Sequence, residues 1–519
     1  MRRWAAAVLL GAGVGLLALP ACGGKTDETA RAAGITPRQA LGFFSVNLSP
    51  SIEQQRNLKG IVDRFPGAPS EIRGDFEDVR DELLDVVSGE AGLDYATDVK
   101  PWLGNEVALA LLPLAEGEEI DDLDEPPVVA MFETDDPGKA TAALEKAAGS
   151  GDFDAEYRVV EDFVVVAAGD EGQADRNLDL VEAAAKADKG GLAEDERFTS
   201  VVDDLAGDRL LLAWADGQAI GELLGAGELL DDIDGFGLPF GFLPGLSEDG
   251  VAAADLHAER SALVVRGVSV ATGEEPGGGE PALTAALPAD VLGALTLFDV
   301  GRGVEQALRF VTGFGGGDID DLSAQLGLDI QADVLSWMEG ELAIVAGPVP
   351  SGGEFPSFAL VVEPTDTAKA AAGLDKIAGL LEDQGFPLDR EDVAGASAYV
   401  VPVEFLPGIA PAMALFEDRF VLASTIELLE QLAEDASPSL GGTEAYQSVI
   451  GEGSRTGTSF QLIVRIDPIR EAIEAALAAD ELRDYKREAQ ANIEPLDTFG
   501  MFARRDGDRN RFEMKLTVS

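Results

Sequence analysis

Gly92-Leu93-Asp94-Tyr95-Ala96-Thr97-Asp98-Val99-Lys100-Pro101-Trp102-Leu103-Gly104-Asn105-Glu106 decides how this chain is read, because its pattern occurs twice. Gly327-Leu328-Asp329, Asp333-Val334, Trp337 and Glu341 repeat it at identical spacing, so two of the four tryptophans occupy equivalent places. Downstream, Glu133, Asp136, Lys139, Ala140, Ala142, Leu144, Lys146 and Gly149 recur as Glu363, Asp366, Lys369, Ala370, Ala372, Leu374, Lys376 and Gly379. Weaker matches keep the order: Pro37, Leu41 and Gly42 with Pro288, Leu292 and Gly293, then Phe198, Ser200 and Val201 with Tyr446, Ser448 and Val449. Self-similarity of this kind marks a duplicated structural unit. The repeats are read as lobes 34–273 and 284–519, joined by a Gly- and acid-rich linker at 274–283.

Within each repeat the hydrophobic pattern alternates between period 2 and period 3.6. In the first, 40–48 reads as a strand, 52–65 and 71–87 as helices, and 106–112 and 128–132 as strands. Asp136 caps a helix to Ala148, with Pro137 in its first turn, where a missing N–H costs nothing. A hairpin follows around 157–168, then helices near 177–187 and 195–205, a strand at 209–215 and a closing pair at 251–256 and 262–270. The second repeat ends likewise, with strands joined across Asp506-Gly507. A long helix is expected from Asp467 to about Glu488. Adjacent strands interrupted by helices give an α+β class: two tandem homologous lobes, each a mostly antiparallel sheet with helices packed on it.

The N-terminus reads as an export signal, with Arg2 and Arg3 followed by an apolar run from Ala5 to Leu19. That run is shorter than the roughly 20 residues needed to span a bilayer, and it closes on Leu19-Pro20-Ala21-Cys22, which resembles a lipobox. Cys22 is the only cysteine, so no disulfide can form within the chain and the residue stands where lipidation needs it. The expectation is a signal peptide at 1–21, a lipidated tether at 22–33, and a protein held at the cell membrane by lipid on Cys22, facing outside the cytoplasmic membrane. A chain of 519 residues is too long for one core, and 46% hydrophobic content is ample for burial. The formal net charge of −58 opposes nucleic acid and anionic surfaces, so no nucleic-acid partner is expected.

Leu41-Gly42-Phe43-Phe44-Ser45-Val46-Asn47-Leu48-Ser49-Pro50, the Phe65-Pro66-Gly67 turn and the stretch from Gly92 to Gly104 are similar to an uncharacterised family of bacterial envelope proteins, domain-of-unknown-function family 3352. The resemblance covers most of the chain after the signal, with its signature around Trp102 and, in weaker form, Trp337. It implies an extracytoplasmic home and transfers no catalytic residues, since the family has no known activity.

The repeated Trp102, Glu106, Trp337 and Glu341 admit two readings. Either they line two acidic, aromatic pockets suited to a cation or sugar, or each tryptophan plugs a helix to a sheet while the acids cap helices or face water. The second is favoured, because residues kept in both copies are those both copies need to fold. The enzyme inventory is thin. His257 is the only histidine, expected as an exposed turn residue, and no G-x-S-x-G elbow supports a triad built on it. One His and one Cys cannot make a zinc site. The acidic runs 116–125 and 318–321 could offer oxygen ligands to calcium, but no EF-hand spacing exists and they read as solvated loops. No catalytic, cofactor or metal residue is therefore assigned. The apolar loop 235–245, with Phe236, Phe240 and Phe242, is the candidate contact surface if it does not pack under the lobe. The functional expectation is a binding or envelope-assembly module whose partner is an envelope protein, lipid or glycan, the alternative being a carboxylate-based hydrolase of envelope glycans.

Overall fold

The computed structural model describes residues 30–66, 76–90, 92–115, 127–149, 155–168, 171–205, 207–224, 250–270, 278–298, 323, 327–350, 356–402, 410–451, 456–477 and 479–519. Cys22, the loop carrying Phe236, Phe240 and Phe242, and both acidic runs lie outside the described residues. The chain divides into two compact units, 1–273 with 507–513, and 274–506 with 514–519.

In the first unit the strands are β1 (Gly42–Asn47), β2 (Leu103–Leu111), β3 (Val128–Thr134), β4 (Ala155–Val160), β5 (Phe163–Ala168), β6 (Leu211–Asp216), β7 (Val251–Glu259) and β8 (Ala262–Val270). They pair antiparallel in the order β4-β5-β3-β2-β1-β6-β7-β8. Helices cover both faces, and the period-2 alternation of side chains shows how. Val165 joins Phe43, Met131 and Trp214 in a core with Leu178 and Val181 of the Glu171–Lys186 helix and with Phe198. Its neighbours Val164 and Val166 point the other way, into a core with Trp102, Ala140 and Leu144. A strand buried on both faces needs the continuous apolar run Phe163–Ala168, and each fully buried Val or Leu contributes about 1.5–3 kcal/mol.

The second unit repeats the plan. Its strands β9 (Gly293–Leu297), β10 (Leu342–Ala346), β11 (Phe358–Val362), β12 (Asp389–Val393), β13 (Ala396–Val400), β14 (Ala412–Leu415), β15 (Phe420–Ala423), β16 (Thr458–Arg465) and β17 (Leu496–Asp506) run antiparallel in the order β12-β13-β14-β15-β11-β10-β9-β16-β17. A final strand, β18 (Arg509–Val518), follows a turn in which Gly507 has φ +65°. Val361 and Val362 divide between two cores as Val165 and Val164 do. Each lobe is thus α+β, built twice on one scheme.

The copies differ at one edge. In the first unit β3 pairs with β5, whose hairpin partner β4 is the last strand. In the second, β15 takes the place of β5, and two more strands, β12 and β13, lie beyond β14. This extension explains why the repeat offset grows from 230 residues at Glu133/Glu363 to 248 at Phe198/Tyr446.

Several sequence expectations need correction. The long helix from Asp467 is broken. One helix spans Ile466–Ala476, Leu477 is extended with ψ 139°, and Ala479–Glu488 starts a new helix whose first turn carries Asp480 and Glu481. Acids in a first turn suit the positive end of a fresh helix dipole better than a helix interior. The 274–283 linker is too long, since Gly279 exchanges backbone hydrogen bonds with Thr458 and the Ala282–Ala286 helix belongs to the second unit. The tether also ends before residue 33, because Ala32 and Ala33 are fully buried in the short helix Ala32–Ile35.

Candidate functional site

The repeated signature has the same geometry in both units. Gly92 and Gly327 adopt φ +71° and +68°, the left-handed conformation that costs glycine least. Asp94 and Asp329 then cap the following turns, each accepting a 2.9 Å bond from a backbone N–H, of Thr97 and Ala332. Trp102 donates Nε1–H to the Asp98 carbonyl at 2.6 Å, and Trp337 to the Asp333 carbonyl at 2.9 Å. Each indole is buried and packs edge-on to a phenylalanine, Phe132 at 6.3 Å and Phe420 at 5.4 Å. The repeated lysines complete the motif: Lys146 lies 2.5 Å from Asp98, and Lys376 pairs with Asp333. The Lys146 bond holds the Asp98 carboxyl below its ordinary range. Asp136 and Asp366 cap the helices at Pro137–Gly149 and Thr367–Asp383. Asp94, Asp98, Trp102 and Lys146, and their counterparts Asp329, Asp333, Trp337 and Lys376, are thereby engaged in bonds that fix the turn and the helix after it.

Glu106 and Glu341 share a second task. Each sits buried at the start of a central strand and meets the N-terminus of the short helix that enters its lobe. Glu341 accepts bonds from the backbone N–H groups of Leu283 and Thr284, both at 2.8 Å, and from Thr284 Oγ1 at 2.7 Å. Glu106 accepts from the Ala32 N–H at 3.1 Å, while its Oε1 is buried with no partner among the described residues. Burial, reinforced by the nearby Glu133 carboxylate, pushes the Glu106 carboxyl up to about 7, and burial raises Glu341 too. Glu133 binds the Asn105 N–H at 2.9 Å and is paired with Arg31, which also reaches Asp162 at 2.8 Å. This buried carboxylate pair is closed over by the incoming chain.

One buried polar centre in the first unit has no counterpart in the second. His257, expected in an exposed turn, is buried, with Nδ1 2.9 Å from Asp255 Oδ1, itself fully buried. The turn of the hairpin falls after the Glu259–Ala262 pair, leaving His257 two residues inside β7, where strand alternation puts it on the same face as Asp255. With the Asp255 carboxylate accepting from Nδ1–H, Nε2 is the ring nitrogen left to meet another group. Burial works against the charge on neighbouring Arg209, and Asp255 and Glu106 work for it. In the second unit the pairing register puts Phe502 in the place of Asp255 and Arg504 in that of His257, and Phe502 joins the core.

His257 also lines a cleft of about 560 Å³ between the end of the β7–β8 hairpin and the Ile52–Val62 helix, together with Arg56, Asn57, Gly60, Arg64 and Arg260. Ser51 caps that helix through the Gln54 N–H, and Leu58 and Ile61 seat it on the lobe. Beyond the last residue of β7 that pairs with β6, Gln54 Oε1 accepts from the Ala258 N–H at 2.7 Å and Asn57 Nδ2 donates to the Ala258 carbonyl at 2.8 Å. The helix thus supplies the hydrogen bonds that a neighbouring strand would have given, and fixes the cleft walls. Sequence reasoning missed Asp255 and the helix residues. The available signal was Asp255-Leu256-His257, polar residues at period 2 in a strand otherwise rich in buried alanine.

Among the described residues no group of three or more His, Cys, Asp or Glu side chains is placed to hold a metal ion, and no helix is long and apolar enough to cross a membrane. The model of a family described as "Protein of unknown function (DUF3352)" matches residues 4–175 and 319–517. No curated protein matches. A solved structure described as "Structure of crystal form III of TP0453" aligns over 45% of this chain and 93% of its own, at 8% identity and a TM-score of 0.23, a likeness that carries no argument.

Proposed function

The chain belongs to the DUF3352 family of proteins of unknown function, and from that premise we propose that it is a lipid-anchored, extracytoplasmic binding module and not an enzyme. The observation that carries the binding reading is the cleft beside His257, whose Asp255–His257 pair is present in one copy of the duplicated fold and has Phe502 and Arg504 in its place in the other. Burying Asp255 and His257 costs desolvation, and the second lobe builds the same strand without that pair, so the fold itself does not require them. Pockets of roughly 300–1,000 Å³ with a few convergent polar groups are typical small-molecule sites. The anchor rests on Leu19-Pro20-Ala21-Cys22 and puts the lobes outside the cytoplasmic membrane. The Phe236, Phe240 and Phe242 loop is the second proposed contact, for an envelope protein, lipid or glycan.

The test is mass spectrometry of the full-length protein taken gently from its own membranes, beside a Cys22→Ser variant and a Gly60→Phe variant that fills the cleft. The reading expects a diacylglyceryl adduct on Cys22, release of Cys22→Ser into the soluble fraction, and a co-purifying molecule that Gly60→Phe loses. A Cys22→Ser protein that stays membrane-bound refutes the anchor, and a ligand retained by Gly60→Phe refutes the cleft. The carboxylate-hydrolase reading has one observation in its favour, the Glu106–Glu133 pair with its raised carboxyl. Against it, both acids are closed off by Arg31 and the entering helix, and Glu106 caps a helix as Glu341 does.

A further inference from the structure

We propose that the His257 cleft takes a small anion, a molecule presenting a phosphoryl or carboxyl group; this rests on the cleft being a binding site. Three guanidinium groups line it, on Arg56, Arg64 and Arg260, in a chain that has only 38 basic residues against 96 acidic ones. Arg56 and Arg260 are exposed, and among the described residues neither has a carboxylate partner. Two such arginines, one on the helix and one at the hairpin end, line one cleft and form a receptor for negative charge. Guanidinium is suited to it, since its planar fork matches phosphoryl and carboxyl oxygens in bidentate fashion.

The overall charge of −58 does not cancel this attraction. At physiological ionic strength the Debye length is about 8 Å, so the potential inside the cleft is set by the groups lining it. Those are the three arginines against Glu53 and Glu259, with the Asp255 carboxylate behind them on His257; Glu259 lies 3.7 Å from Arg266, which is outside the lining. Gly60 leaves the floor open, since a Cβ there would meet nothing closer than the Arg260 carbonyl at 3.9 Å. The distant acids instead act on ligands large enough to reach beyond the cleft, which favours a small molecule over a polyanion.

Calorimetric titration of the full-length protein in low-salt, phosphate-free buffer tests the inference. The probes are inorganic phosphate, glycerol 3-phosphate and citrate, then vesicles of phosphatidylglycerol against phosphatidylcholine, each with wild type and an Arg56→Ala/Arg260→Ala variant. Both positions are exposed, so the variant is expected to fold, and an unchanged thermal transition checks this. The expected result is saturable binding of at least one free anion, weakened by salt and reduced about tenfold or more in the double variant, as loss of two charge-assisted contacts requires. Arginine-dependent binding of phosphatidylglycerol vesicles without binding of free anions upholds the anion chemistry and assigns its source to a lipid headgroup. Equal binding by wild type and variant, or no anion bound at all, overturns the inference. A neutral glycan captured by wild type and lost in Gly60→Phe, with no anion bound, overturns it while leaving the binding module standing.

Discussion

Replacing Glu106 with glutamine should remove a pH dependence of folding that this one carboxyl imposes. The ordinary value of 4.5 rises to about 7 in the folded chain, chiefly through burial, with the Glu133 carboxylate adding to it. Below about 4.5 the group is protonated whether the chain is folded or not. Between 4.5 and about 7 it keeps its proton only when folded, so its contribution to stability falls as pH rises through that window and is lost above it. At about 1.4 kcal/mol for each pH unit between the two values, ionising Glu106 in place costs roughly 3 kcal/mol. Glutamine keeps the carbonyl that accepts the Ala32 N–H and never ionises. The assay is denaturant unfolding of wild type and Glu106→Gln at pH 5, 6, 7 and 8, followed on the transition that the substitution moves. The stability difference between the two should shift in favour of Glu106→Gln by about 2–3 kcal/mol between pH 5 and 8. Using the difference cancels the many other carboxylates of this acidic chain. Parallel profiles would refute the reasoning, because they would mean that Glu106 ionises in place without cost.

Trp102→Phe should destabilise the first lobe by about 1–3 kcal/mol, from lost volume and the lost bond to the Asp98 carbonyl, while ligand capture by the cleft is unchanged. Denaturant unfolding beside calorimetry checks it, and lost binding at full stability would make Trp102 a site residue. Gly327→Ala should cost about 1 kcal/mol in thermal unfolding, through strain alone, because φ is +68° and a Cβ there would meet nothing within 4 Å. Gly373→Ala should cost about 1–3 kcal/mol by a different cause, overpacking, since its Cβ would lie 2.5 Å from the Asp333 carbonyl oxygen and 3.0 Å from Trp337 Nε1. Faster hydrogen exchange confined to the Trp337 region and the Thr367–Asp383 helix would identify that cause.

The duplication, the α+β class and most helix starts were legible in the sequence because they depend on local chemistry. A glycine needed at positive φ, an aspartate capping the turn two residues on, and an apolar period of 2 or 3.6 leave marks in neighbouring residues. The break at Leu477 and the burial of His257 were not legible, since the first depends on what the helix packs against and the second on where the β7–β8 turn falls. The same holds for the two glutamates. Their spacing from the tryptophans was visible, but their roles as caps depend on Ala32 and Thr284, 74 and 57 residues away in the chain. The cleft is the extreme case. Arg56 and Arg260 come together only because the Ile52–Val62 helix completes the hydrogen bonding of Ala258, a contact between residues 204 apart in sequence. The sequence by itself determined that one lobe was built twice; tertiary structure alone decided where the copies diverge, because a buried polar pair is recognised by what surrounds it in space.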